Sequence, residues 1–245
     1  MTSTQDRVAI VTGGSGGIGR ASALRLAREG MSVVVHFHGN RDRADTTVAD
    51  IVAAGGKALA VGGDIADEEA ATALFDAAEQ EYGGVDVLVH TAGIMPLSPI
   101  AELDLEVFDR VQRVNVRGTF VVDKLAAQRL RPGGAIINFS TSITRLQQPG
   151  YGAYAASKGA VEAMSLILAR ELRGKGITVN AVAPGPTATP LFLEGKSEEL
   201  VARIAGNNPM ERLGSPEEIA ETVAFLAGPG RWVNGQTIFV NGGAA

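Results

Sequence analysis

A tyrosine and a lysine stand four residues apart in the segment YAASK at positions 154–158. Apolar residues recur with helical spacing over 154–172, so Tyr154 and Lys158 are expected on one face of a helix. A free tyrosine has a pKa of about 10, and a nearby ammonium group lowers that pKa by stabilising the phenolate. The pair predicts proton transfer with a bound molecule, with Tyr154 as acid or base and Lys158 as its electrostatic partner.

The same spacing also fits an ordinary amphipathic helix with an exposed lysine, so its position in the chain matters. The helix follows an apolar run at 135–139, which ends in Ser140, Thr141 and Ser142. A hydroxyl at the end of a strand can donate a hydrogen bond to a substrate oxygen. These hydroxyls and the tyrosine are expected to meet in one site.

A glycine-rich turn, TGGSGGIG at positions 12–19, joins the first apolar run to a helical segment. Glycines permit a tight turn and let backbone amides approach a pyrophosphate at a helix N-terminus. The alternative is a strand-to-helix turn without a ligand, which five glycines in eight residues disfavour. The turn therefore predicts a dinucleotide site.

Short apolar, β-branched runs alternate with helical segments along the whole chain. The runs, each expected to be a buried strand, are 8–11, 32–37, 58–61, 85–89, 135–139, 177–182 and 237–240. The helical segments are 18–28, 68–82, 108–130, 154–172 and 217–226. The alternation predicts an α/β fold, a Rossmann-type doubly wound parallel sheet of about seven strands with helices on both faces. We expect a single domain over 1–245, with a small substrate lid at about 190–210, a proline-rich region of weak periodicity.

Composition narrows the class of partner. The formal net charge is -5 with acids and bases interspersed, so no basic stripe predicts nucleic-acid binding. The chain contains 0 cysteines, which excludes disulfides and zinc-thiolate sites. The polar start of the chain has no apolar segment of the kind that signal peptides or membrane spans need, so a cytoplasmic protein is expected.

The motifs and their order resemble those of the short-chain dehydrogenase/reductase superfamily. The turn reads T-G-x-x-x-G-x-G, the later helix reads Y-x-x-x-K, and HTAG at 90–93 stands where similar proteins have NNAG. The pattern is closest to 3-oxoacyl-[acyl-carrier-protein] reductases and naphthol reductases. The resemblance implies a nicotinamide cofactor and a ketone as substrate.

The resemblance also assigns catalytic roles. Similar proteins have a serine thirteen residues before the tyrosine, and that spacing leads to Thr141. Ser142 has the expected residue type and requires a one-residue slip of the loop, so both remain candidates, with Ser142 favoured. Asn115 resembles an asparagine that kinks the fourth crossover helix and holds a water linking Lys158 to solvent.

Cofactor contacts follow from the resemblance at several strand ends. The glycine-rich turn contributes Gly13, Ser15, Gly17, Ile18 and Gly19. Asp64 and Ile65 would lie by the adenine, and Ala92 and Gly93 by the adenosine. The nicotinamide end would involve Pro184, Gly185, Thr187 and Thr189, together with Tyr154 and Lys158.

The end of the second strand predicts which cofactor is bound. NAD-binding sites place a carboxylate there for the ribose hydroxyls, whereas this chain has Phe37, followed by His38, Asn40 and Arg41, with Arg43 close behind. Donors of this kind can surround a 2′-phosphate, so NADP(H) is predicted over NAD(H). His36 and His38 share one strand face, but no carboxylate cluster stands near them, so no metal site is expected.

The prediction is an NADP(H)-dependent oxidoreductase that interconverts a ketone and a secondary alcohol, with a 3-oxoacyl thioester or a similar small carbonyl compound as substrate. A non-catalytic, dinucleotide-sensing protein on the same fold is the alternative. The resemblance also implies a homotetramer, and the apolar helical segments at 108–130 and 161–172 fit a partly buried interface.

Overall fold

Parallel strands form one sheet in the order β3-β2-β1-β4-β5-β6-β7. The computed structural model describes residues 7–245. The prediction that the chain lacks a signal peptide rests on its polar start, and residues 1–6 of that segment lie outside the described range. The strands are β1 (Val8–Thr12), β2 (Ser32–Phe37), β3 (Ala58–Gly62), β4 (Val85–His90), β5 (Leu130–Phe139), β6 (Thr178–Pro184) and β7 (Thr237–Val240). All neighbouring pairs in the sheet are parallel.

Helices cover both faces of this sheet. They are α1 (Gly17–Arg28), α2 (Arg41–Ala53), α3 (Glu68–Tyr82), α4 (Leu105–Val111), α5 (Gly118–Arg129), α6 (Ile143–Leu146), α7 (Gly152–Glu171), α8 (Pro190–Leu193), α9 (Glu198–Gly206) and α10 (Pro216–Ala227). One apolar core packs α3, α5 and α7 against the sheet, and a second packs α1, α2 and α10 on the other face. The predicted doubly wound α/β fold is confirmed.

Local sequence explains why individual helices begin where they do. Ser215 caps α10, because its hydroxyl accepts from the amide of Glu218 over 3.2 Å while the Glu218 carboxylate accepts from the Ser215 amide over 2.8 Å. Pro216 occupies the first turn, where its missing N–H costs no hydrogen bond. The serine, proline and acidic residues at 215–218 predict this helix start.

The structure differs from the prediction in four respects. Strands β1, β2, β4 and β6 are fully buried, whereas the edge strands β3 and β7 and the start of β5 are partly exposed. The segment predicted as one helix over 108–130 is α4 and α5 joined by a π-helical turn, Gln112–Arg117. The region expected as an irregular lid contains α8 and α9, and α2 is a further helix that the apolar pattern did not indicate.

The topology determines where a ligand can bind. Strand order reverses between β1 and β4, and ligands of open parallel sheets bind at the carboxyl ends of strands next to such a reversal. The segments that follow β1, β4, β5 and β6 carry the predicted chemical groups. Among residues 7–245, no helix is long and apolar enough to cross a bilayer.

Candidate active site

The glycine-rich turn lies between β1 and α1, in close contact with the segment after β4. Gly13 has φ 66°, and a Cβ on it would lie 2.9 Å from Thr91 Oγ1. A Cβ on Gly19 would overlap the carbonyl of Gly13. Gly16 begins α1 without a side-chain cap, so no side chain occupies the amides that would meet a phosphate.

The residues that replace two asparagines of similar proteins still link β1 to β4. His90 Nδ1 lies 2.7 Å from Thr12 Oγ1, and Thr91 Oγ1 donates to the Thr12 carbonyl over 2.6 Å. The Ala92 amide adds a longer bond to Thr12 Oγ1, 3.3 Å. Burial lowers the pKa of His90 to about 3, so its imidazole is neutral at physiological pH.

The predicted adenine contact, Asp64, is bound by a residue that sequence reasoning missed. Arg113 Nη1 donates to Asp64 Oδ2 over 2.5 Å, and the Ala66 amide donates to Asp64 Oδ1. Partial burial raises the pKa of Asp64, but these two partners outweigh it and the net shift is downward. Asp64, Ile65 and Arg113 all line the same cavity.

At the end of β2, the structure brings together a different set of residues from the predicted one. Phe37 turns into the core, where its ring would lie 2.8 Å from a Cβ on Gly62. Asn40 caps α2 by accepting from the Arg43 amide over 3.0 Å, and Arg41 pairs with Asp45 in solvent. The side chains of Phe37, Asn40 and Arg41 therefore do not line the cavity, whereas those of His38 and Arg43 do.

His36 and His38 share a partner at the rim of the cavity. Both rings bond the Gly63 carbonyl, over 3.0 Å from His36 Nε2 and 3.2 Å from His38 Nδ1. Burial lowers the pKa of His36 to about 4. The described part of the chain contains no cluster of three or more ligating side chains that would hold a metal.

The segment after β6 closes the cavity on the other side of the glycine-rich turn. Gly185 packs against Asn241, where a Cβ would lie 2.8 Å from the Asn241 Cα. Thr187 Oγ1 donates to the Gly185 carbonyl over 2.9 Å. Thr189 begins α8 and lies within 3.5 Å of the Cβ position of Gly17. These groups, with Pro184, face the cavity as predicted for the nicotinamide end.

Tyr154 and Lys158 lie on one face of α7, at the floor of the cavity. Tyr154 is 8% exposed, and its phenol lies close enough to the Thr141 side chain for that hydroxyl to affect its pKa. Lys158 Nζ lies 5.9 Å from the centre of the Tyr154 ring and donates to the Phe139 carbonyl over 2.7 Å. Burial lowers the pKa of Lys158 to about 8.

The pKa of Tyr154 departs from the sequence-based expectation. Burial raises it to about 12, although the nearby Thr141 hydroxyl lowers it in part. Desolvation disfavours the phenolate, and it outweighs the other groups of this chain. The protein's own residues thus keep Tyr154 protonated at neutral pH, as an acid.

The hydroxyls at the end of β5 have separate partners. Ser142 Oγ accepts from Asn241 Nδ2 over 3.1 Å and lies 3.4 Å from the Ala183 carbonyl. Ser140 Oγ donates to Glu162 on α7. Thr141 is the hydroxyl that acts on the pKa of Tyr154, so the structure favours the residue selected by spacing over the residue selected by type.

Asn115 lies at the π-helical turn and is fully buried. Its carboxamide accepts from the Ile94 amide and donates to the Ile94 carbonyl, both over 2.9 Å, and donates to Ser157 Oγ over 3.0 Å. A Cβ on Gly93 would lie 3.2 Å from Asn115 Oδ1 and 3.5 Å from Lys158 Nζ. Asn115 therefore holds the segment after β4 close to the lysine rather than lining the cavity itself.

The groups that line the site enclose one cavity of about 770 Å³. Leu146, Tyr151, Leu191 and Phe192 give part of its wall an apolar character. Further lining residues were not predicted individually: His36, Ile94, Met95, Arg110, Arg113, Val114, Gln148 and Ile204.

Known proteins match this chain over nearly its whole length. A family model described as enoyl-(acyl carrier protein) reductase matches residues 13–245. The chain belongs to the short-chain dehydrogenase/reductase family. Among relatives of this short-chain dehydrogenase/reductase, an NADPH-dependent aldehyde reductase-like protein, chloroplastic, from Arabidopsis thaliana is 45% identical over 97% of this chain and 93% of its own length.

Two further matches are similar in extent. A 3-oxoacyl-[acyl-carrier-protein] reductase of Staphylococcus aureus is 39% identical over 96% of each chain. The crystal structure of a short-chain dehydrogenase from Burkholderia cenocepacia in complex with NADP has a TM-score of 0.93 and 37% identity, over 99% of each chain. The sequence-based assignment to the family is confirmed.

Local spacing in this short-chain dehydrogenase/reductase contained a signal that separates the two arginines after β2. Asn40 is a favoured N-cap type, and a helix beginning at Arg41 turns Arg41 and Arg43 about 200° apart, so only one of them can face the turn after β1. The Arg113 contact with Asp64 spans 49 residues and has no local signal.

Proposed function

We propose that this short-chain dehydrogenase/reductase reduces a carbonyl compound to an alcohol with NADPH. The observation that carries the proposal is the proximity of the Thr141 hydroxyl to Tyr154, in a cavity that Lys158 and the glycine-rich turn also line. A phenol that can donate a proton, in a partly apolar cavity next to a turn that can bind a dinucleotide, suits the reduction of a C=O bond.

The residues present fit a nicotinamide dinucleotide. Glycines at 13 and 19 leave a cradle that a Cβ would fill, and α1 presents its first amides without a capping side chain. Asp64, Ala92, Gly185 and Thr189 would hold the cofactor along its length. When bound, the cofactor supplies the hydride that the chain itself lacks.

The chain's own groups would carry the proton. Thr141 donates a hydrogen bond to the substrate oxygen and orients the carbonyl carbon toward the hydride. As the C–H bond forms, Tyr154 Oη transfers its proton to the developing alkoxide, which leaves the alcohol and a phenolate. Lys158 stabilises this phenolate, and Asn115 organises the water through which a proton returns.

Preference for NADPH rests on positive charge near the end of β2. Arg43 and His38 line the cavity where a 2′-phosphate would lie, and a guanidinium binds phosphate well. The Arabidopsis relative is named as NADPH-dependent, and the Burkholderia structure contains NADP.

Both a 3-oxoacyl thioester and an aldehyde remain candidate substrates, since relatives of each name align over the full chain. The test is loss of NADPH or NADH absorbance with purified protein and a panel of a 3-oxoacyl thioester, a polycyclic diketone and medium-chain aldehydes. Oxidation of NADPH by one class supports the proposal and identifies that class.

The alternative of a non-catalytic binding protein has its own signature. It predicts tight NADPH binding without turnover, in the wild type as in Tyr154→Phe. Under our proposal, Tyr154→Phe abolishes turnover and leaves the Kd for NADPH unchanged, because the phenol hydroxyl is needed for proton transfer. Turnover retained by Tyr154→Phe would contradict the proposed role.

A cytoplasmic homotetramer, with 190–210 acting as a substrate lid, is part of the same proposal. Phe120 on α5 and Ile167 on α7 are 60% and 55% exposed, and exposed apolar side chains on neighbouring helices favour burial against another copy. A monomeric mass in solution would contradict the tetramer, and recovery of the protein in a membrane or organelle fraction would contradict the location.

A further inference from the structure

One face of α7 holds the short segment that carries Thr141. Tyr154, Lys158 and Glu162 follow one another at intervals of four residues along this helix, so they share a face. Lys158 Nζ donates to the Phe139 carbonyl over 2.7 Å, and the side chains of Thr141 and Tyr154 line the same cavity, close enough for the hydroxyl to affect the phenol. Glu162 is the third residue of this row, and the proposed chemistry gives it no role.

The carboxylate of Glu162 accepts two hydroxyl hydrogen bonds at one oxygen. Ser140 Oγ and Thr144 Oγ1 both donate to Glu162 Oε1, the latter over 2.9 Å. Ser140 is 3% exposed, so water cannot replace this acceptor. Thr144 Oγ1 also lies 2.9 Å from the Thr141 carbonyl. The two contacts flank Thr141 along the chain and fix the turn on both sides of its hydroxyl.

We infer that Glu162 is a positioning residue for the reduction, which holds the Thr141 hydroxyl against Tyr154 through Ser140 and Thr144. The inference rests on the proposed function, because it concerns the same site. Glu162 is not among the residues that line the cavity, so it acts only through these hydroxyls. A misplacement of about 1 Å in such a group reduces turnover by about 100-fold.

The test compares substitutions at one position of α7. Glu162→Leu removes the acceptor, and we expect kcat to fall about 10- to 100-fold with KM for NADPH changed less than about threefold. Glu162→Gln keeps an acceptor oxygen and is expected to restore kcat to within about fivefold of wild type. Glu171→Leu, the same change at an exposed position of this helix, is the matched control and should leave kcat unchanged.

Crystal structures of the variants give a measurement that needs no substrate. We expect Glu162→Leu to move Thr141 Oγ1 away from Tyr154 Oη, and Glu162→Gln to keep the two atoms as close as in the wild type. Should Glu162→Leu fail to fold, Ser140→Ala removes the buried donor instead and should lower kcat without changing KM for NADPH.

The outcomes separate this inference from the proposed function. It is wrong if Glu162→Leu keeps both the wild-type position of the Thr141 hydroxyl and wild-type kcat, if Glu162→Gln is as impaired as Glu162→Leu, or if Ser140→Ala is fully active. A wild-type protein that reduces no panel compound would overturn the proposed function alone, because the crystal structures still decide the role of Glu162.

Discussion

The Thr141 hydroxyl lies near the Tyr154 phenol and partly offsets the rise in its pKa, whereas the next hydroxyl along the chain is held elsewhere. Ser142 is bonded by Asn241 and faces the Ala183 carbonyl, on the side of the loop that packs under β6 and the C-terminal segment. One residue of register thus decides which hydroxyl meets a substrate oxygen.

This register gives a direct prediction. Thr141→Ala should lower kcat about 100-fold, because it removes the donor that orients the carbonyl oxygen, whereas Ser142→Ala should cost less than about fivefold. Thr141→Ser, which keeps the hydroxyl, is the matched control. The measurement is steady-state reduction with NADPH. A larger loss in Ser142→Ala than in Thr141→Ala would reassign the role to Ser142.

The lowered pKa of Lys158 predicts the pH dependence of reduction. Below its pKa of about 8 the ammonium stabilises the phenolate that forms on Tyr154, and above it this charge is lost. Tyr154 itself, with a pKa of about 12, stays protonated over the same range. We expect kcat/KM to be level below pH 8 and to fall above it, by up to about tenfold per unit.

The control for that profile is a lysine replacement that cannot lose its charge. Lys158→Arg carries a guanidinium with a pKa above about 12, so any remaining activity should show no inflection near pH 8. The profile is measured from pH 6 to 10 with saturating NADPH. An inflection that persists in Lys158→Arg would assign it to another group.

Arg43 and Arg41 provide a matched pair for cofactor preference. Arg43 lines the cavity, whereas Arg41 pairs with Asp45 and its side chain is 73% exposed. Arg43→Ala should raise KM for NADPH about 10- to 100-fold and leave KM for NADH unchanged, because a charged hydrogen bond to phosphate contributes about 1.5–3 kcal/mol. Arg41→Ala should change neither value. Equal losses of NADPH affinity in both variants would show that charge near β2, rather than a specific contact, sets the preference.

Asp123 predicts how stability depends on pH. Asn138 Nδ2 donates to Asp123 Oδ2 over 2.9 Å, but within residues 7–245 Asp123 Oδ1 and Asn138 Oδ1 have no hydrogen-bond partner. Burial raises the pKa of Asp123 to about 7. The folded state thus binds this proton more tightly than the unfolded chain. The contribution of the protonated Asp123 to stability is full below about pH 4. The free energy of unfolding then falls by about 1.4 kcal/mol per pH unit as the pH rises toward 7.

Asp123→Asn should remove this contribution, since an amide has the same shape and no charge. Between pH 4 and pH 8, we expect the free energy of unfolding of the variant to rise by about 2–4 kcal/mol relative to that of the wild type, as measured by urea unfolding at each pH. Asp109→Asn, the same change at an exposed position, is the control and should give parallel curves. Parallel curves for Asp123→Asn as well would show that the wild-type carboxyl is not protonated in the folded state.

The fold was predictable because its signals are local. Apolar periodicity, the glycines at 13–19 and the cap at Ser215 each act over a few residues, and the strand order follows from their alternation. The pairing of Tyr154 with Lys158 was predictable for the same reason, since four residues are one helical turn.

The parts of the site that the sequence did not yield depend on tertiary packing. Phe37 is apolar and turns into the core, whereas Arg43, two residues into α2, faces the cavity. The pKa of Tyr154 depends on burial, which no spacing reveals. Likewise, the choice of Thr141 over Ser142 depends on the backbone path of one loop.

The π-helical turn at Gln112–Arg117 has a consequence for how this chain tolerates insertions and deletions. A π-helical turn accommodates one residue more than an α-helical turn. Removing one residue of that turn would leave a regular helix in which the residues after it, among them the exposed Phe120, keep nearly their present directions relative to α4. The same deletion inside α5 would rotate everything after it by about 100°. A change of length by one residue is therefore absorbed more easily at 112–117 than inside either flanking helix, provided that Asn115 keeps its place.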